Sequence, residues 1–330
     1  MWEILEAGSV NREMYYAALV AMAIVLAIGP VSIRILRKMK FGQSIRSDGP
    51  ATHLVKAGTP TMGGIMILIG VFAATLLFSP RALGSAWAMF MTLGFGAIGL
   101  ADDFIIVVAK RSLGLRARYK LVAQIILAGL VGVFAATRPE LGTAVSVPFL
   151  RQSVDLGLGY VAFAIIVVVG ASNAVNLTDG LDGLAAGTVT IAALAYGVIA
   201  AYKGAHDLGI FAFALAGACV GFAWFNCHPA QVIMGDTGSL ALGAALGCLA
   251  ILTKTELLLV VIGGVFVIEA LSDIIQVTYF RATHGRRVFR MAPLHHHFEL
   301  SGWREPKVVT RFWILGLVFA ILGMLCLPWL

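Results

Sequence analysis

The sequence predicts an all-α polytopic membrane protein of ten transmembrane helices, with both termini extracytoplasmic and an active site at the cytoplasmic face. Of its 330 residues, 60% are hydrophobic and 12% charged, whereas about a quarter of the residues of a soluble domain carry charge. The apolar residues fall into runs of about 17 to 25, the length at which a helix crosses roughly 30 Å of hydrocarbon. Basic residues collect in alternate connections, which assigns those connections to the cytoplasm.

Spans are expected near 14–36, 61–79, 85–101, 119–137, 159–176, 183–202, 208–225, 238–253, 256–280 and 311–329. The opening MWEILEAGSVNRE has neither the basic segment nor the small-residue cleavage site of a secretory signal, so the first span is expected to stay. The second span follows Lys-Ala-Gly-Thr-Pro-Thr-Met-Gly-Gly, and the third closes on GLADDF. The fourth ends at Arg138-Pro139, and the connection 138–159 holds two short alternating stretches that could pair as a small hairpin. NLTDGLDGL separates the fifth span from the sixth, and NCHPAQVIMGDTGS leads into the eighth. A basic loop containing APLHHHFE precedes the tenth. With no internal repeat or low-complexity tract, residues 1–330 read as a single integral-membrane domain.

Orientation follows from Lys and Arg. The first loop and its helix ends carry Arg34, Arg37, Lys38, Lys40, Arg46 and Lys56; the third carries Lys110, Arg111, Arg116, Arg118 and Lys120; the ninth carries Arg281, Arg286, Arg287, Arg290, Arg304, Lys307 and Arg311. These are eighteen of the 24 basic residues, so odd loops face inward. On that topology Asp102-Asp103, Asp179, Asp182 and Asp236 all fall on the cytoplasmic side. Even loops are short and poor in chemistry.

Adjacent carboxylates at a lipid-embedded span end repel one another unless a cation intervenes; the plainer reading of Asp102 and Asp103 is a helix end paired with Lys110 or Arg111. In the segment 173–184, Asp179 and Asp182 share one side of a helical turn, and Gly180 and Gly183 allow close approach of a ligand. Helix capping by Asn176, Thr178 or Asp179 is the local alternative. Asp236 stands where it can cap the eighth span or hold a cation beside that helix N-terminus. His295, His296 and His297 are consecutive, so they cannot all face one metal; they suit contacts to a diphosphate, acid–base work, or ordering of the loop. The glycines near Lys56 and Thr61 could cradle phosphate, but GKS or GKT is missing and a P-loop is excluded. Carboxylates with phosphate oxygens suit Mg²⁺ or Mn²⁺. The net charge of +7 draws anions to the same face. The four cysteines are expected to act as small buried hydrophobes.

GTPTMGG at 58–64, ADDF at 101–104, NLTDGLDGL at 176–184, FN..PA..IMGDTGSLALG across 225–243 and APLHHHFE at 292–299 together resemble the polyprenyl-phosphate N-acetylhexosamine-1-phosphate transferases, and among them the phospho-N-acetylmuramoyl-pentapeptide transferases. The last motif separates that branch from relatives that transfer GlcNAc-phosphate. The resemblance implies a phosphoglycosyl transferase that moves phospho-MurNAc-pentapeptide from UDP-MurNAc-pentapeptide to undecaprenyl phosphate, giving lipid I and UMP in peptidoglycan synthesis at the bacterial inner membrane. By the same resemblance Asp102, Asp103, Asp236 and His295 to His297 are catalytic, with Asp236 and Asp103 at the Mg²⁺ site. Lys56, Thr61, Asn176, Asp179, Gly180, Leu181, Asp182, Asn226 and Gln276 are substrate-binding. Membrane lipid and a second copy of the chain are the implied partners, and nucleic acid is not. Ile106 stands where many members have Lys, and Ile233 where an aromatic often precedes MGD. The alternatives are a sister transferase using UDP-GlcNAc and, from a different class, an ion or solute transporter, which calls for carboxylates near the bilayer midplane on broken helices.

Overall fold

A computed structural model describes residues 10–39, 58–108, 114–150 and 152–329. In chain order the elements are α1 (Arg12–Lys38), α2 (Gly64–Phe78), α3 (Leu83–Val108), α4 (Ala117–Thr137), a hairpin of β1 (Ala144–Val147) and β2 (Gln152–Asp155), α5 (Tyr160–Thr178), α6 (Leu184–Tyr202), α7 (His206–Asn226), α8 (Gly235–Leu252), α9 (Glu256–Ile262), α10 (Gly264–Ala282), α11 (Leu294–Leu300) and α12 (Glu305–Met324). Among the described residues, eight helices are long and apolar enough to cross a membrane, and α9 with α10 makes a ninth if the bent pair counts as one span. The chain is a multi-pass membrane protein. The apolar α2 has 15 residues, which at 1.5 Å per residue falls short of roughly 30 Å of hydrocarbon.

Several expected boundaries shift; the tenth span, for one, runs Glu305–Met324 rather than 311–329. The second span begins at Gly64 rather than residue 61, because the preceding chain pairs with the approach to α8: the Ile233 amide donates to Pro60 O (2.8 Å), and the amides of Gly63 and Gly64 donate to Ile233 O and Met234 O (both 2.9 Å). The third span does not stop before the acidic pair, since the apolar residues after it carry α3 on to Val108 and leave Asp102 and Asp103 inside the helix. The ninth is not one straight helix; it breaks at Gly263 and turns by 85°. The hairpin expected in 138–159 is present, pairing Ala144 with Asp155 and Val147 with Gln152 in antiparallel register.

The centre of the bundle is α8, packed between α3 and α5, with α7 packed between α1 and α6. Of their apolar windows, 89% of α8, 83% of α7 and 72% of α6 is buried, against 28% of α1 and α4. Small residues make up most of α8, so neighbouring backbones approach closely, as in helix packing within lipid. Outer helices turn Ile126, Ile166, Ile274 and Leu317 outward, the apolar surface that hydrocarbon requires. At the bundle end carrying the hairpin, the Ser85 amide donates to Asp207 Oδ2 (2.9 Å). There Glu256 is buried, accepting from the Tyr160 hydroxyl (2.5 Å) and pairing with Lys254 Nζ (3.1 Å). Cys219, Cys248 and Cys326 are buried as expected; Cys227, just past the C-terminus of α7, is exposed.

Candidate active site

The other end of the bundle gathers the acids. Asp103 reaches from α3 to the first turn of α8. Its Oδ1 accepts from the Asp236 amide (3.1 Å), and its Oδ2 from the Thr237 amide (2.9 Å) and hydroxyl (2.6 Å). An α-helix starts with unpaired amides and a positive dipole end, so a buried carboxylate from a neighbouring helix fits there. The fit needs two glycines. At Gly99 a Cβ would stand 2.1 Å from the Asp236 carbonyl oxygen. Gly235 has φ +75 and faces Asp103 Oδ2 and Thr61 Oγ1.

Asp102, also buried, accepts from the Leu115 amide through Oδ1 (2.9 Å) and lies within hydrogen-bonding reach of the Asp236 carboxyl. Asp236 Oδ1 accepts from Asn176 Nδ2 (2.8 Å), which also donates to Ser239 Oγ (2.9 Å). Asp236 Oδ2 forms an ion pair with Lys120 Nζ from α4. The Asp102 and Asp103 carboxylates thus each feel the charge of Asp236, and Lys120 is the ammonium paired with it. Apposed carboxylates leave room for more positive charge, and hard oxygen donors match Mg²⁺ or Mn²⁺. Both Asp103 oxygens serve α8 amides, and both Asp236 oxygens are paired as well, with Asn176 and Lys120.

The loop after α5 forms the adjoining wall. Asp179 ends α5, with its amide donating to Val175 O (3.1 Å). Leu181 is buried against Val308 and Phe312 of α12. The Asp182 amide donates to Glu305 Oε1 (2.7 Å), and its Oδ2 accepts from the Ala230 amide (3.1 Å) and sits 3.2 Å from His228 Nδ1. His228 is also 3.3 Å from Glu305 Oε2, and these three side chains bring donor atoms within 4.8 Å of one another. Asn226 is buried, accepting from the Gly183 amide (3.0 Å) and donating to Val232 O (2.9 Å), a brace between loops.

The three histidines take three different partners, as their succession requires. His295 is buried against Glu269 (Nδ1 to Oε2, 3.0 Å), His296 faces Glu299 (2.9 Å), and His297 Nδ1 accepts from the Arg290 amide (3.1 Å). Gln276 clamps the same loop, accepting from the Val288 and Phe289 amides (both 3.0 Å) and donating to Phe289 O (2.9 Å). It borders a pocket of about 310 Å³ lined by Asp273, Arg281, Arg287 and Met291. Thr61 is buried beside Gly235, while Ile106 and Ile233 are half-buried. Lys56 lies outside the described residues.

Sequence reasoning missed Lys120, counted there only as a topological charge, and Thr237, Glu269, His228 and Glu305. Glu269 carried a usable signal, because an acid inside an apolar span is a functional candidate on cost alone. The other four are identified only by what they touch.

Residues 85–254 match the model of glycosyl transferase family 4, and residues 56–68 match signature 1 of phospho-N-acetylmuramoyl-pentapeptide-transferase. Proteins named phospho-N-acetylmuramoyl-pentapeptide-transferase are similar over nearly the whole chain. One from Geobacillus sp. is 52% identical, covering 97% of this chain and 99% of its own. One from Anoxybacillus flavithermus is 53% identical with the same coverage, and one from Thermodesulfovibrio yellowstonii is 49% identical over 94% of this chain and 91% of its own.

Proposed function

Because the chain belongs to glycosyl transferase family 4 and, within it, to the phospho-N-acetylmuramoyl-pentapeptide transferases, we propose that the three converged aspartates are where UDP-MurNAc-pentapeptide meets undecaprenyl phosphate to yield lipid I and UMP in peptidoglycan synthesis. The observation that carries this reading is the convergence of Asp102, Asp103, Asn176 and Lys120 on Asp236. One substrate is a soluble anionic nucleotide and the other a long-chain lipid phosphate. A site at the end of a bundle, level with the membrane surface, is reachable by both. The basic loops favour the cytoplasmic surface of the inner membrane, with α9–α10 as one bent crossing and the short α2 as another, ten in all, and both termini outward.

The acceptor phosphate, whose second pKa near 6 leaves it largely dianionic at neutral pH, attacks the sugar-bearing phosphorus of the donor. A new phosphorus–oxygen bond forms, the bond to the bridging oxygen breaks, and UMP leaves with that oxygen. Asp102, held by the Leu115 amide, orients the attacking phosphate and takes any residual proton. Lys120 and the α8 N-terminus offset negative charge that builds at the centre. Asp103 keeps the Asp236 backbone in place. The 179–182 loop with Asn176 receives the nucleoside, and the His295–His297 loop the sugar and diphosphate. Asp236, with Asp103 or Asp102 beside it, would hold Mg²⁺ or Mn²⁺, which would supply the positive charge that neutralises the diphosphate.

UMP release from UDP-MurNAc-pentapeptide is the test. It should require the C55 phosphate and a divalent cation and be lost in Asp236→Asn. Turnover in excess EDTA, or a preference for UDP-GlcNAc as donor, overturns the reading.

A further inference from the structure

Within α10, Glu269 is a carboxylate set among Val265, Phe266, Val267, Ile268 and Ala270, and it is 0% exposed. Burying a carboxylate in such surroundings is costly unless a specific partner is present. That partner is His295, equally buried: Glu269 Oε2 is 3.0 Å from Nδ1 and 3.4 Å from the His295 amide. Nδ1 and Oε2 share one proton in that hydrogen bond. The remaining polar atoms of the pair, Glu269 Oε1 and His295 Nε2, are sealed from solvent without a hydrogen-bond partner. An apolar pair of equal volume would pin α11 to α10 at lower cost, so the charge has a use other than packing.

The imidazole edge supplies that use. A Cβ on Gly180 would lie 2.2 Å from His295 Nε2 and 2.8 Å from Cε1, so the ring edge rests on the backbone of the loop between Asp179 and Asp182. His296 packs beside the ring, with centroids 4.1 Å apart and planes tilted by 59°. Rotation of the His295 ring therefore displaces either Gly180 or His296. We propose that Glu269 is a positioning residue for donor binding, which locks the His295 ring against Gly180 and thereby sets the 179–182 loop for the uridine nucleotide. This rests on the reading of that loop as the nucleoside wall.

The test uses the full-length enzyme in detergent, with UDP-MurNAc-pentapeptide as probe, measuring donor affinity by equilibrium binding and the donor KM, acceptor KM and kcat by UMP release. Glu269→Gln keeps the shape and removes the charge. Donor Kd and KM should rise about tenfold, the loss expected of one charge-assisted hydrogen bond, with kcat and acceptor KM little changed. Glu269→Asp keeps the charge but shortens its reach to His295 Nδ1 and should give the same donor-specific defect, which keeps the proposal testable if Glu269→Gln does not fold. A fall in thermal stability with unchanged donor affinity, or a loss confined to kcat, overturns the proposal. If the unaltered enzyme neither binds this donor nor releases UMP from it, the assigned function fails instead.

Discussion

Asp103 Oδ2 sits 2.6 Å from the Thr237 hydroxyl and 2.9 Å from the Thr237 amide, so one side chain of α3 caps the helix that carries Asp236. Position 103 is thereby a structural post as much as a chemical one. Asp103→Asn keeps an acceptor but turns an amide NH₂ toward a second donor, leaving buried groups unpaired at a cost of about 1–3 kcal/mol. The thermal midpoint of the variant should fall, and activity should fall with it even at temperatures where the protein stays folded. A variant as stable as the parent would show that the cap is dispensable.

Lys120 offsets part of the charge on Asp236 through their ion pair. With Lys120→Met the acids are less compensated, so the Mg²⁺ concentration giving half-maximal rate should drop. The rate at saturating Mg²⁺ should drop as well, by at least about tenfold, because a cation that stabilises the developing charge is gone. A Mg²⁺ titration of UMP release separates the two effects. Were half-saturation to move upward, Lys120 would instead be assisting the metal, and the charge argument would be wrong.

Gly99 permits α3 to touch the backbone of α8, since an added methyl would meet the Asp236 carbonyl oxygen at 2.1 Å and the Thr237 amide at 2.6 Å. Gly99→Ala must push the helices apart or move Asp236, with a stability cost of about 1–3 kcal/mol and a larger loss of turnover. Gly170 in α5 has nothing within 4 Å of the same position, so Gly170→Ala is the matched control and should be neutral or stabilising by up to about 1 kcal/mol. Thermal unfolding and UMP release on both variants check the pair; equal behaviour would contradict the close-contact argument.

Much of this was legible in the amino-acid order. Asp102, Asp103, Asn176 and Asp236 lie in separate loops and helix ends, yet the alternation of basic loops put them on one face, and the structure joins them through Asp103, Asn176 and the α8 amides. Charge patterning reports topology because each span must cross the whole bilayer. It does not report where a helix stops relative to its acids: Asp102 and Asp103 read as a helix end, although the residues after them are apolar enough to continue α3. The break at Gly263 was equally hidden, since a bent pair and a straight span have the same hydropathy. Lys120 could not be told from its neighbours Arg116 and Arg118 by type or spacing, because what distinguishes it is a contact with a residue 116 positions away.

At the far end of the bundle the pair of Lys254 and Glu256 separates stability from catalysis. Glu256 is buried, its Oε1 shared by Lys254 Nζ at 3.1 Å and the Tyr160 hydroxyl at 2.5 Å, and Lys254 lies 3.9 Å from the centre of the Tyr160 ring. Lys254→Met leaves the buried Glu256 charge without its counter-ion, which costs roughly 3 kcal/mol or more, whereas Glu256→Gln leaves a half-buried Lys254 that still donates to Gly142 O and costs less. Glu256→Gln and Lys254→Met should each lower the thermal midpoint clearly, and the double variant by less than the sum of the two, because the second change removes a charge already orphaned. None of the acids around Asp236 is touched, so the fraction that stays folded should keep the parental donor KM. Additive losses in the double variant, or a shifted donor KM in either single one, would mean that the two ends of the bundle are coupled through α5 or α8.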